Sequence, residues 1–216
     1  MKVVSTLLAG ILFAFIFNVS LLSYADGPAP IQLPSPQKEG GKPLMTALND
    51  RMSARAFSEE KLPVQTLSNL LWAAFGINRP DGRRTAPSAR NWQEIDIYVA
   101  TPDGLYLWDP GKNLLNPIVA KDVRGMTGTQ PFVKEAAVNL VYVADYSRLT
   151  GEGTDKDIWV GADTGFIGEN VYLYCASEGL ATVVRANIDR EPLAKEMQLK
   201  PQQRIMFSQS VGYPKK

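Results

Sequence analysis

GADTGFIGENVYLYCASEGLATVVRA (residues 161–186) contains the signals for a helix, a stop and a strand in immediate succession. The segment up to Glu178 predicts a long helix, and Gly179 stands just past its end, where a left-handed backbone closes many helices. The run ATVVRA that follows is rich in β-branched residues and predicts a strand. The stretch therefore predicts a long helix that is joined to a strand by a single Gly-Leu exit.

Shorter elements surround this stretch. Two helices are predicted before it, one over residues 43–50 with Pro43 as its first helical position and one from Pro63 to the stop at Gly76. EIDIYVAT (94–101) alternates at period two, and PDG turns it into GLYLWD, which predicts a β-hairpin.

The remaining strands do not follow one another regularly. AVNLVYVADY (137–146) is apolar nearly throughout and predicts a central strand, and a short helix near 189–197 precedes a last strand, RIMFSQSVGY (204–213). Helices mixed with antiparallel and non-sequential strands predict an α+β fold in layers.

Composition excludes several classes of chemistry. The 216 residues include no histidine and one cysteine, Cys175, so imidazole-based triads, histidine-ligated zinc, cysteine-rich clusters and an intramolecular disulfide are excluded. The acidic residues form no calcium-binding spacing, and no metal site is predicted. A formal net charge of +1 gives no broad basic field, so we predict no nucleic-acid partner, and anion binding must be local.

The N-terminus has the pattern of a secretory signal peptide over residues 1–25. Lys2 precedes a long apolar run, and small residues around Ala25 suit cleavage. The run is also long enough to span a bilayer, so an uncleaved membrane anchor is the alternative. Residues 26–42 are rich in proline and glycine and predict a linker or arm, which leaves residues 43–216 as one globular domain. We therefore expect a periplasmic or extracellular protein.

RMSARAF (51–57) places Arg51, Ser53 and Arg55 at every second position. In extended backbone these side chains share one face and present two guanidinium groups and a hydroxyl together. Arginine forks match phosphate oxygens, and the serine adds a hydrogen bond without bulk. If the preceding helix continues instead, Arg51 and Arg55 form an exposed i, i+4 pair that binds nothing.

RRTAPSARNWQ (83–93) is a polar loop that leads directly into a strand. Asparagine and glutamine side chains offer both a donor and an acceptor, which suits a heterocycle of mixed polarity or a chain of hydroxyls. The alternative is a solvated turn initiated by Pro87. The sequence VGYPKK (211–216) adds two lysines, which by themselves indicate only solubility.

Other residues receive structural interpretations. Cys175 is expected to be a small core residue with no chemical role. Trp72, Trp108 and Trp159 are expected in the core, and only Trp92 lies in a candidate binding loop. Glu169 and Glu178 lie more than two turns apart on one helix, so they do not form a carboxylate pair.

The order of these stretches resembles the nitroreductase family, whose members are oxidoreductases that depend on flavin mononucleotide (FMN). The resemblance covers residues 42–216. The matching pieces are R-x-S-x-R (51–55), PSARNWQ (87–93), the central helix and its exit GENVYLYCASEGLATVV (168–184), and VGYP (211–214). Many members follow Asn-x-Gln with Pro-Trp, whereas Glu94 and Ile95 follow Gln93 here.

The resemblance implies a nitroreductase-like layered fold with a central, mostly antiparallel sheet flanked by helices. It also implies a tight homodimer that binds two FMN molecules at the interface, each in a site built from both chains. Arg51, Ser53 and Arg55 would then hold the phosphate and ribityl end of FMN, and Lys215 would be a further basic phosphate ligand.

The other implied contacts come from two further stretches. Pro87, Ser88 and Asn91 would reach the flavin from the partner subunit, with Gln93 among the amides that satisfy its polar edge. The stretch 183–185, including Val184 and Arg185, would lie along the pyrimidine edge with its backbone groups.

The implied reaction is ping-pong transfer of a hydride or electrons through flavin N5 to small quinone-like or nitroaromatic acceptors. The cofactor supplies the reactivity, which explains how histidine can be absent. NADH or NADPH is the implied donor. The alternative is a non-catalytic protein that binds flavin or another phosphorylated ligand, because no catalytic acid or base stands out in the sequence.

Overall fold

The computed structural model describes residues 29–151, 153 and 155–216. Within them, strands form an antiparallel sheet in the order β1-β4-β3-β2-β5-β7-β6. The strands are β1 (Ile31–Gln32), β2 (Ile95–Thr101), β3 (Gly104–Asp109), β4 (Leu114–Val119), β5 (Val138–Asp145), β6 (Ala181–Arg185) and β7 (Gln203–Gly212). The predicted hairpin is β2–β3, and the apolar run is the central strand β5, so the α+β fold is confirmed.

Helices pack on both faces of this sheet. They are α1 (Leu44–Asp50), α2 (Val64–Phe75), α3 (Lys156–Glu178) and α4 (Arg190–Glu196). The long helix α3 ends at Gly179, which has φ 71°, as predicted. Pro43 differs from the prediction: it precedes α1 as its N-cap with ψ 143°, and its carbonyl accepts the first hydrogen bonds of the helix.

Alternation along the strands divides the core between the two faces. Leu140 and Tyr142 of β5 face α2 and α3, in a cluster that includes Leu71 and Val171. The intervening residue Val141 faces α4, in a second cluster around Leu193. A central strand that is buried on both faces has no polar side to alternate with, which explains the continuous apolar run of β5.

Two strands were not predicted from the sequence. LLNPIV forms β4 although it contains Pro117, which cannot donate a hydrogen bond to a ladder. The structure tolerates it because β1 covers β4 only at Leu114 and Leu115, so β4 is the sheet edge at Pro117. Sequence periodicity does not detect β1, because this strand has only two residues.

The described part of the predicted arm, residues 29–42, packs against the domain. Leu33, just after β1, is 3% exposed and belongs to the core beside α2. The signal peptide predicted for residues 1–25 lies outside the described residues. Among the described helices, none combines the length and the apolar character needed to cross a membrane.

Candidate functional site

The segment 51–57 leaves α1 as extended chain. The helix ends at Asp50, and Arg51 has φ −59° and ψ 120°. The alternative in which Arg51 and Arg55 form a helical pair is therefore wrong. The backbone N–H of Ala54 donates to the carbonyl of Thr182 at 2.9 Å. The segment thus lies along the free edge of β6, which is the last strand of the sheet.

Tyr172 of α3 contacts three of the predicted site residues, Ser53, Val184 and Arg51. Its Oη lies 2.8 Å from Ser53 Oγ, and it accepts a hydrogen bond from the backbone N–H of Val184 at 2.9 Å. The guanidinium carbon of Arg51 lies 5.3 Å from the centre of the Tyr172 ring. Because Tyr172 Oη accepts from Val184, its own proton can serve Ser53 Oγ, and the Ser53 hydroxyl can donate to an anion.

The C-terminal residues continue this region. Ser58 N–H donates to the Tyr213 carbonyl at 2.9 Å, and Lys215 N–H donates to the Ala56 carbonyl at 3.2 Å. Lys215 therefore lies beside the end of the R-x-S-x-R segment, where Arg55 is exposed. The structure brings the backbones that carry these two cations together.

A cavity of about 370 Å³ lies between α3 and the end of β6. It is lined by Thr164, Gly165, Gly168, Glu169, Tyr172, Val184, Arg185, Ala186 and Phe207. A Cβ atom added at Gly165 would meet no heavy atom within 4 Å, and one at Gly168 would meet only Gln209. Glycine at these positions therefore leaves open space beside α3, and a flat ligand can approach the helix backbone closely.

Val184 and Arg185 direct their side chains to opposite faces of the sheet. Val184 is 36% exposed and lines the cavity with Tyr172. The guanidinium of Arg185 is buried on the other face, where it donates to Asn139, Ser208 and Ser210. The side chain of Arg185 thus forms hydrogen bonds on the face of the sheet away from the cavity. Its backbone belongs to β6, the strand that borders the cavity.

The loop 87–93 is held to α3 at a different place. Ala89 N–H donates to Asp163 Oδ2 at 2.8 Å, and Gln93 N–H donates to Ser88 Oγ at 2.8 Å. Gln93 Nε2 donates to Asn91 Oδ1 at 3.0 Å, and both residues have positive φ, 48° and 55°. The loop has an ordered, strained conformation, so the alternative of a simple solvated turn does not describe it.

A buried acid pair, Glu94 and Asp163, lies beneath this loop. Their exposed fractions are 0% and 2%. Ser88 Oγ donates to Glu94 Oε2 at 3.1 Å, whereas Glu94 Oε1 is buried without a hydrogen-bond partner among the described residues. Burial, with a contribution from the charge of Asp163, raises the pKa of Glu94 to about 7, and burial also raises the pKa of Asp163. Glu94 therefore retains a proton up to about neutral pH, where an exposed carboxyl group would have lost it.

Sequence reasoning missed this pair because the two residues are far apart in the chain. A signal existed, since Glu94 replaces an apolar position of the related motif at the start of a buried strand. A carboxylate at such a position requires a partner, and the partner follows only from the packing of α3 on the loop.

The two groups of predicted residues do not meet within one chain. Asp163, which holds the loop 87–93, and Tyr172, which holds Ser53, are nine positions apart on α3, or roughly 13 Å along its axis. The structure thus brings together Arg51, Ser53 and Val184, and it places Pro87, Ser88, Asn91 and Gln93 further along the helix.

Comparison with known proteins identifies the family of this chain. A family model described as the nitroreductase family matches residues 48–213. The chain belongs to the nitroreductase family. Its class is therefore that of a flavin-dependent oxidoreductase.

Similar nitroreductases are known from bacteria and archaea. A crystal structure of a candidate nitroreductase from Ralstonia eutropha has 43% sequence identity and a TM-score of 0.82, with coverage of 87% of this chain and 90% of that chain. A curated candidate nitroreductase from Methanocaldococcus jannaschii is 31% identical over 68% of this chain and 81% of its own length. The NADPH:FMN oxidoreductase from Vibrio harveyi, solved in complex with NAD⁺, shares the fold with a TM-score of 0.61 at 18% identity, over 80% of this chain and 69% of that chain.

The structure of this nitroreductase also tests the predictions about individual side chains. Cys175 is fully buried in the core, as expected, and Trp108 is 5% exposed. The prediction for Trp159 is wrong, because its side chain is 50% exposed near the start of α3. Across the described residues, His, Cys, Asp and Glu form no group that could hold a metal ion.

Proposed function

We propose that this nitroreductase binds FMN and reduces small quinone-like or nitroaromatic compounds, with NADH or NADPH as the electron donor wherever the protein has access to them. The observation that carries the proposal is the convergence of Arg51, Ser53 and Val184 on Tyr172, beside a cavity between a helix and the edge of a sheet. Cations and hydroxyls at one end of such a cavity suit a phosphate, and an open glycine surface at the other suits a flat ring.

The residues present fit FMN. The Arg51 fork and the Ser53 hydroxyl supply charge-assisted donors for a phosphate, and Arg55 and Lys215 add positive charge from adjoining backbone. The cavity volume of about 370 Å³ is within the range of small-molecule sites, and Gly165 and Gly168 keep it open toward α3. Val184 contributes the strand edge that would border the ring.

When bound, FMN would supply the transfer of hydride or electrons, which none of the side chains can perform by itself. The chain would position it. Tyr172 fixes Ser53 relative to β6, and the apolar side chains of Val184 and Phe207 would exclude water from one side of the ring. This division of work requires no histidine.

We also propose that the active form is a homodimer. Several large apolar side chains on α1 and α3 are exposed, and monomeric soluble proteins rarely expose such a group together. They are Leu44 (63%), Met45 (75%), Leu48 (45%), Ile158 (69%), Trp159 (50%) and Phe166 (47%). A second copy that covers this surface would bring its loop 87–93, with Ser88 and Asn91, toward the cavity. The separation of the two predicted groups along α3 supports this arrangement.

The expected export of the chain belongs to the same proposal. The pattern of residues 1–25 favours a protein that works outside the cytoplasm, where NADH and NADPH are not freely available. A membrane or periplasmic reductant of another class would then replace them as donor. Mass measurement of the chain purified from a membrane-free extracytoplasmic fraction checks this, because cleavage near Ala25 removes a defined mass.

Binding of FMN tests the central claim. Purified protein is expected to be yellow and to contain one non-covalent FMN per chain. Arg51→Ala is expected to weaken FMN binding by about 1.5–3 kcal/mol, the range of hydrogen bonds to charged groups. Lys112→Ala removes an equal charge from an exposed residue in the turn between β3 and β4, outside both candidate stretches, and it should leave the affinity unchanged. A colourless protein that takes up no added FMN would contradict the proposal.

A further inference from the structure

Arg185 carries a charge that is buried below the last strand of the sheet. Its exposed fraction is 6%. Its Nη1 donates to the Thr127 carbonyl at 2.8 Å, and its Nη2 donates to Asn139 Oδ1, Ser208 Oγ and Ser210 Oγ, each at 2.9 Å. Phe132 covers the group, with 5.9 Å between Cζ and the ring centre.

Among the described residues, no carboxylate lies within ion-pair distance of this guanidinium. Every acceptor of its hydrogen bonds belongs to an uncharged group. Its Nε is buried and has no hydrogen-bond partner in the described part of the chain. Desolvation lowers the pKa of Arg185 to about 10, so the group remains charged at neutral pH. A buried charge normally requires a counter-charge, which makes an isolated cation here costly for folding.

The local sequence accommodates this cation. Gly128 adjoins Arg185 Nη1 so closely that any Cβ at position 128 would collide with it. Asn139, Ser208 and Ser210 are buried polar residues on β5 and β7, at positions where a two-sided sheet usually has apolar side chains. Replacing the arginine with an apolar residue of similar length would therefore leave several of these groups unsatisfied.

The location of the charge links it to the candidate cofactor cavity. Arg185 directly follows Val184, whose side chain lines the cavity and whose N–H contacts Tyr172. Arg185 is itself among the residues that line the cavity, while its guanidinium lies on the opposite face of the sheet beside β5 and β7. A field across buried backbone is screened less than in water, and an unpaired charge acts on its neighbours more strongly than a charge that is compensated by a counter-ion.

We propose that Arg185 tunes the reduction potential of the bound cofactor through its charge. Its uncompensated cation favours the negatively charged reduced flavin over the neutral oxidised flavin, and it thereby raises that potential. This inference rests on the proposed FMN site. Reduction by a two-electron donor adds two electrons and one proton to the ring system, which leaves one negative charge. That charge would be the missing partner of Arg185.

Three variants separate this role from a structural one. Arg185→Met removes the charge, Arg185→Lys keeps it but loses most of the hydrogen bonds, and Asn139→Asp adds a carboxylate of equal size at 2.9 Å from Nη2. The potential of bound FMN is measured by equilibration with reference dyes. Arg185→Met and Asn139→Asp are expected to shift the equilibrium at least tenfold toward oxidised FMN, which is ~30 mV for a two-electron couple. Arg185→Lys is expected to stay near the wild-type value.

The wild-type protein provides a test that does not depend on the folding of a variant. It is expected to bind reduced FMN at least tenfold more tightly than oxidised FMN, so that the bound potential exceeds that of free FMN. A bound potential at or below the free value would overturn the inference. So would an unchanged potential in Asn139→Asp, or equal shifts in Arg185→Lys and Arg185→Met. Failure to bind FMN at all would instead contradict the proposed function.

Discussion

Ser53 Oγ and Tyr172 Oη lie 2.8 Å apart, which connects the segment 51–57 to the long helix α3. The same tyrosine oxygen accepts the N–H of Val184 at 2.9 Å. One hydroxyl therefore fixes a loop and a strand edge relative to a helix. In the candidate cofactor site, this relationship sets the distance between the phosphate end at Ser53 and the ring end at Val184.

We expect Tyr172→Phe to destabilise the protein by about 1–3 kcal/mol, because the partly buried N–H of Val184 loses its acceptor and Ser53 loses its partner. FMN affinity should fall as well, since the segment 51–57 is no longer held. Urea unfolding and flavin titration measure the two effects. Tyr174→Phe is the matched control, because its hydroxyl makes one long hydrogen bond of 3.4 Å. Equal stability losses in both variants would contradict this interpretation.

The acid pair predicts a pH dependence of stability. The pKa of Glu94 is raised from 4.5 to about 7, so the folded chain retains a proton that the unfolded chain has released. The free energy of unfolding should therefore fall between about pH 4.5 and pH 7, by on the order of 3 kcal/mol, and should not recover above pH 7. Glu94→Gln, which mimics the protonated form, should remove this decrease.

Urea midpoints at pH 5 and pH 8 check the prediction for Glu94. At pH 8 we expect Glu94→Gln to be more stable than the wild type, because the substituted amide cannot ionise beside Asp163. Glu191→Gln makes the same change at an exposed position of α4 and should retain the wild-type pH dependence. A Glu94→Gln variant with an unaltered decrease would show that the proton is held elsewhere.

Cys175 should behave as a packing residue. It is fully buried on α3, and burial raises the pKa of its thiol well above the ordinary value. We expect no reaction with thiol reagents in native protein and complete reaction in urea. Cys175→Ala should cost about 1–2 kcal/mol of stability through the cavity it leaves and should leave FMN affinity and turnover unchanged. Loss of turnover at normal FMN content would reveal a redox role.

The exposed surface on α1 and α3 predicts the oligomeric state. Leu48→Glu places a charge within this surface and should convert a dimer to a monomer, as measured by light scattering during gel filtration. FMN should dissociate in parallel if both chains build the site. Lys112→Glu, in the turn between β3 and β4, changes an exposed residue at the opposite end of the sheet and should remain dimeric. A monomeric wild type would contradict the prediction.

Local signals in the sequence were sufficient for much of the fold. Period-two alternation located β2 and β3, a continuous apolar run located β5, and Gly179 marked the end of α3. These signals succeed because they depend on neighbours in sequence. The same reasoning failed for β4, since whether Pro117 lies on an edge depends on how far β1 extends.

The candidate site depended more on contacts between distant segments. R-x-S-x-R was visible as a pattern, but only the end of α1 at Asp50 decided that it is extended. The roles of Tyr172, Asp163 and the Arg185 guanidinium were not predicted, because each follows from the packing of α3 or β7 against another segment. The burial of Glu94 likewise could not be predicted, because the sequence does not show which segments cover this residue.

The way in which the segment 51–57 lies along β6 also bears on solubility. An edge strand with free N–H and carbonyl groups is a template for pairing with other chains and for aggregation. Here Ala54 binds the Thr182 carbonyl, and Tyr172 binds the Val184 N–H. The stretch that carries Arg51 and Arg55 thus also shields this edge of the sheet from intermolecular β-pairing, so the same seven residues would serve both solubility and the proposed cofactor site.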